Sequence, residues 1–242
     1  MKSLTYLYSK ICFFICLSII ILSCTKTTEV DPNPKDSYKY FPIEVGDFKL
    51  FQKVVYSYAV GQKEKIDSIL VKETVASKSQ SNNETYYLIE RQAKGKNDLF
   101  FKPEAVYQII TNPKQVINTE RNIYTVLLYY PIYLGSKWNV NEINGQDEKE
   151  AEIVSLGKLP AKLITDKNLI LVQSDSTNNF VDFKVSNKIF AKNIGLIYSE
   201  NSAIDYCQDS DPNPATSCTS KFIIESGKRE FITLLEYGSN KK

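Results

Sequence analysis

The sequence predicts a mainly antiparallel β-protein, with curved sheets forming a sandwich or half-barrel and few short helices. Three observations carry this expectation. From Tyr40 onward, short runs rich in Val, Ile, Tyr, Phe and Thr recur between polar punctuation. No stretch of a dozen residues holds the 3.6-residue apolar period of an amphipathic helix. Turn residues such as Gly61-Gln62 and Ser226-Gly227 fall between adjacent runs, where hairpins need them.

The first element precedes the β-region. Lys2 and Lys10 flank the start of an apolar run from Ile11 to Leu22, which is 12 residues long. That length is too short to span a bilayer and suits the apolar core of a secretory signal. The run ends in Ile21-Leu22-Ser23-Cys24. A small residue before a Cys at this point resembles the lipobox of bacterial lipoproteins, and Ser-Cys endings are frequent in Bacteroidota-type examples. The resemblance implies diacylglyceryl transfer to the Cys24 thiol, cleavage before Cys24, and a lipid anchor in the cell envelope, with the outer membrane as the expected site. Residues 1–23 are then the signal peptide, and Cys12 and Cys16 leave with it. Residues 24–39 are rich in Thr, Pro, Asp and Lys and read as a solvated tether, since Asp31-Pro32-Asn33-Pro34 favours extended or turn conformations.

Residues 40–242 form the expected β-rich extracytoplasmic domain. Strands are expected over 48–60, 65–75, 85–91, 105–111, 122–130, 151–156, 169–173, 195–204, 221–225 and 230–237. Ser226-Gly227 should join the last two as a hairpin, and 77–83 should be a polar loop. Short helices fit within 114–121 or 146–156.

Two internal echoes suggest a duplication, with halves at 40–128 and 129–242. Tyr40-Phe41-Pro42-Ile43-Glu44-Val45-Gly46 is matched at an offset of 89 by Tyr129-Tyr130-Pro131-Ile132-Tyr133-Leu134-Gly135. Phe100 to Val106 is matched at an offset of 90 by Phe190 to Leu196. The aromatic-Pro-Ile-x-Val-Gly segment also resembles the start of the folded part in uncharacterised Bacteroidota-type lipoproteins. That likeness implies an extracytoplasmic β-protein and supplies no catalytic residues.

Composition narrows the chemistry. Loss of residues 1–23 removes two lysines, so 28 basic residues face 28 acidic ones. Nucleic-acid binding needs a concentrated positive footprint, and no basic block is present. The chain has no His, which removes Ser-His-Asp triads, Cys-His dyads and His-ligated metals. No phosphate loop, dinucleotide fingerprint or nucleophile elbow occurs. No cofactor and no enzymatic activity are therefore expected. Cys207 and Cys218, 11 residues apart in an exported chain, are expected to form a disulfide across a polar loop. Such a bridge contributes about 2–3 kcal/mol in the chain-entropy description.

Three clusters compete as sites. Trp138 and Tyr133, with Tyr129 and Tyr130, could form an aromatic platform for a sugar, although their place in the Pro-Gly motif suits core packing better. Asp209, Asp211 and Asn213 alternate like the start of a calcium loop, but Pro214 and Ser220 stand where an EF-hand needs Gly and Glu. Glu142, Asp147, Glu148, Glu150 and Glu152 offer carboxylates, though alternation puts the last three on one solvated face. The expected function is a non-enzymatic binding or assembly module of the envelope, anchored to the membrane and meeting an envelope protein or glycan. The alternative is a carrier or chaperone for a lipophilic ligand held in a curved-sheet cavity.

Overall fold

The computed structural model describes residues 34–157, 168–208 and 222–240. It opens with a 3-10 helix, Pro34–Tyr40, followed by twelve strands. These are β1 (Asp47–Tyr58), β2 (Lys65–Ser81), β3 (Glu84–Gly95), β4 (Lys102–Thr111), β5 (Gln115–Glu120) and β6 (Ile123–Tyr129). The second six are β7 (Lys137–Asn139), β8 (Glu150–Gly157), β9 (Leu169–Asn178), β10 (Asp182–Ala191), β11 (Gly195–Tyr206) and β12 (Ile224–Ser239). All belong to one antiparallel sheet in the order β6-β5-β4-β3-β2-β1-β12-β11-β10-β9-β8-β7. The expectation of a curved antiparallel sheet holds.

The chain runs up and down through successive neighbours, and the pairing of β1 with β12 joins the two meanders. Register shifts occur within most of the strand pairs, for example at Leu50/Phe51, Arg91/Gln92 and Ile189/Phe190. Each such irregularity bends a strand and increases local twist. The sheet therefore curls until its two edges meet. The Val126 amide of β6 donates to the Val140 carbonyl just beyond β7 at 2.9 Å. The Trp138 indole of β7 donates to the Val126 carbonyl at 3.1 Å. This seam leaves the cylinder nearly closed and masks edges that would otherwise invite pairing. The main core packs across it: Val126, Leu128 and Ile132 meet Trp138, Ile153 and Phe190, all buried.

Several local expectations are corrected. The end of the expected tether is a 3-10 helix fixed to the sheet. The Ser37 hydroxyl is buried and accepts the Ile132 amide at 3.0 Å, Lys192 reaches Asp36 at 2.9 Å, and Tyr40 enters the core. The segments 114–121 and 146–156 contain β5 and β8 rather than helices. Residues 77–81 continue β2, and only Asn82 and Asn83, both at positive φ, make the turn. Ser226-Gly227 is not a turn, because β12 runs unbroken through it. Gly227 instead lies at φ 125°, where an added Cβ would stand 2.3 Å from the Ala203 carbonyl oxygen. The glycine lets β12 approach β11 closely.

The first sequence echo occupies matching places. Gly46 and Gly135 both adopt positive φ before the first strand of a meander. Gly46 donates to Val75 of β2 at 2.9 Å, and Gly135 donates to Ile153 of β8 at 2.8 Å. The second echo does not: residues 100–106 lead into β4 at one end of the sheet, whereas 190–196 turn from β10 into β11 at the other.

Candidate functional site

Alternation along the strands sends one set of side chains into the curled sheet. On β1 these are Lys49, Phe51 and Lys53, on β2 Val71, Glu73 and Val75, and on β3 Ile89 and Arg91. Together with Tyr107 and Ile109 of β4, Lys188 and Phe190 of β10, and Glu230 and Ile232 of β12, they line a cavity of about 830 Å³. Phe41 and Ile43, in the segment entering β1, complete its apolar wall.

Five of the ten charged side chains that line it are held in ion pairs. Arg91 Nε donates to Glu73 at 2.9 Å, and its Nη1 donates to Glu120 of β5 at 2.8 Å. The same guanidinium stacks over the Tyr107 ring, 4.6 Å from its centre. Burial works against the Arg91 charge, but Glu73, Tyr107 and Glu120 together outweigh it and hold the group firmly protonated. Burial, reinforced by Glu73, pushes the Tyr107 hydroxyl well above its ordinary value. Lys53 of β1 meets Glu230 of β12 at 3.1 Å. Burial alone would raise Glu230, yet its contact with Lys53 holds it below the usual carboxylate range.

Two ammonium groups differ. Lys49 and Lys188 line the cavity, and neither comes within 4.0 Å of a carboxylate among the described residues. In the register, Lys49 is opposite Glu73, and Glu73 is opposite Arg91. One carboxylate thus stands between two cations and bonds the guanidinium. Burial draws Lys49 down to about 8, only partly offset by Glu73 and Asp47. Burial also lowers Lys188, and the positive charge of Lys149 acts in the same direction. Lys49 Nζ lies 5.8 Å from the Phe41 ring centre and occupies space that a Cβ on Gly195 would enter, at 2.6 Å.

The residues expected as sites lie elsewhere. Trp138 is a core residue of the seam, so its ring offers no open platform. Tyr133 is exposed, Tyr130 is buried with its ring edge against Tyr38, and neither Trp138 nor Tyr133 lines the cavity. Glu150 and Glu152 both contact Lys137 at the surface, at 2.7 and 3.3 Å. Cys24, Cys218 and the Asp209-Asp211-Asn213 cluster lie outside the described residues, so the lipid-attachment and disulfide expectations fall there too. Lys49, Lys188, Arg91 and Glu73 were missed in the sequence. The available signal was parity, since 49 and 53 share the face of Phe51.

No protein family and no curated protein matches this chain. Solved structures similar to it include two from Bacteroides-type bacteria. One is provisionally described as an exported protein with a YmcC-like fold from Bacteroides fragilis, with TM-score 0.44 and 9% identity over 82% of this chain and 98% of that one. The other, provisionally described as a lipoprotein from Parabacteroides distasonis, has TM-score 0.39 and 8% identity over the same shares. Likeness at this level carries no argument about activity, and the fold described above rests on this chain's own strands.

Proposed function

We propose that this chain is a non-enzymatic lipoprotein of the cell envelope, held at the outer membrane through Cys24, that carries a lipophilic ligand inside its curled sheet. The observation that carries this reading is the cavity. Its volume falls within the ~300–1,000 Å³ of small-molecule sites, and an apolar wall that includes Phe41, Phe51, Val71 and Ile109 shares it with ten charged side chains. The anchor and the Cys207–Cys218 bridge belong to the same reading through the lipobox-like Ser23-Cys24 and the export it implies. Peptide masses before and after reduction check both.

The direct test is a neutral apolar fluorophore. Saturable binding at one site per chain is expected. Val71→Trp, which fills the cavity from β2, should weaken that binding at least tenfold with the circular dichroism spectrum unchanged. Binding that is absent, or equally strong in the variant, would contradict a luminal carrier.

A second reading, docking to an envelope protein, is favoured by one end of the cylinder. The connections β1–β2, β3–β4, β9–β10 and β11–β12 share that end. They carry exposed Val60, Leu99, Phe100, Phe180, Val181 and Phe222. Crosslinking from Leu99 and Phe100 positions in the intact envelope tests it, and an absence of protein adducts would count against it.

A further inference from the structure

Resting on the carrier reading, we propose that Lys49 and Lys188 receive the anionic head, a carboxylate or a phosphate, of an amphiphile whose hydrocarbon lies along the apolar wall. Of the other cations that line the cavity, Arg121 is exposed to solvent, and two are held within the protein. Arg91 has Glu73 and Glu120, and Lys53 has Glu230. Those groups are satisfied inside the protein and have no need of a ligand. Lys49 and Lys188 have no carboxylate within ion-pair distance among the described residues, although both face the cavity. Glu73 and Asp47 attract Lys49 without bonding it, and Lys188 feels the like charge of Lys149. A largely desolvated ammonium with no bonded carboxylate is costly, and the attraction of an incoming anion is strong where the surroundings are poorly polarisable.

The local structure favours leaving these two groups open. Glu73 stands opposite both Lys49 and Arg91 in the register and bonds the guanidinium. A fork of fixed donors takes a carboxylate more effectively than a flexible ammonium does. Gly195, at φ +90°, keeps clear the space that Lys49 Nζ occupies. Lys188 pairs in register with Ser199, whose side chain also lines the cavity and adds a hydroxyl. Phe41, Phe51, Val71 and Ile109 supply the wall for a hydrocarbon chain. Burial lowers the proton affinity of both lysines, and a bound anion would restore it.

The test uses the full chain exported with Cys24→Ser, so that no lipid is attached, and a neutral fluorophore seated in the cavity. Oleate, oleyl phosphate and oleyl alcohol share one hydrocarbon and differ in the head. The expected result is displacement by oleate, oleyl phosphate or both at concentrations at least tenfold below those of the alcohol. Which anion is stronger separates a carboxylate source from a phosphate source. Lys49→Met and Lys188→Met should each narrow the ratio, and the double variant should bring it close to one, whereas Lys49→Arg should preserve it. Equal displacement by all three heads in the unaltered protein would overturn the head-group site and leave the carrier reading standing. Displacement by none, with no fluorophore binding, would overturn both. If the Met variants do not fold, the head-group comparison in the unaltered protein decides alone.

Discussion

Arg91 and Lys49 are two cations of the same cavity, separated in register only by Glu73, and they have opposite fates. Arg91 is held by two carboxylates and a tyrosine ring. Lys49 faces open space, with its proton affinity drawn down by burial. Luminal charge therefore falls into two kinds. A paired ion inside the sheet belongs to the architecture, because β2, β3 and β5 are tied through it. An unpaired one is a cost the fold retains without a structural return, and function is the natural place to look for that return.

The largest effect expected from breaking this comparison is at Glu73. Glu73→Gln removes one partner of Arg91 and the carboxylate opposite Lys49, leaving more uncompensated charge inside. Stability should fall by about 3 kcal/mol, read from urea midpoints at unchanged m-value. A loss of only a few tenths would show that the Arg91 cluster is not structural.

Lys49→Met should do the reverse. At pH 7 the variant is expected to be more stable than the unaltered chain by about 2 kcal/mol, since it no longer buries an unpaired charge. The sign follows from the proton affinity. Lys49 titrates near 8 when folded, below its ordinary 10.5, so the unfolded chain binds more protons between those values. Stability of the unaltered chain relative to the variant should therefore rise from pH 8 towards pH 10.5, where the gap closes. A gap independent of pH would mean that Lys49 is well solvated. The smallest effect is expected far from the cavity charges. Leu99→Ser together with Phe100→Ser should change stability by less than about 0.5 kcal/mol, because both side chains are exposed. The same pair should slow uptake of an amphiphile from vesicles if the apolar loop end meets the lipid surface. Unchanged uptake would remove that end from the account.

Strand content was legible in the sequence because β-branched and aromatic runs announce half-buried strands. The misses have separate causes. In β10 the run Phe183-Lys184-Val185-Ser186-Asn187-Lys188 mixes polar residues onto both faces, so alternation is weak. In β12, Ser226-Gly227 carries a turn signature, yet the glycine serves a close approach to β11. Closure of the sheet depends on β1 meeting β12 and on the Trp138–Val126 bond, contacts between residues with no local signal of each other. The cavity lysines stayed hidden for a related reason. A lysine in a strand normally marks the solvated face, and only the position of Phe51 between Lys49 and Lys53 hints at the inward one. Trp138 went the other way: its motif position pointed to core, and core is where it lies.

The most direct measurement is mass spectrometry of the protein purified gently from its native envelope, first intact and then after organic extraction. One bound amphiphile per chain with a carboxylate or phosphate head is expected, and its loss from the Lys49→Met, Lys188→Met double variant. A bare chain in both preparations, or a bound lipid with an uncharged head, would contradict it.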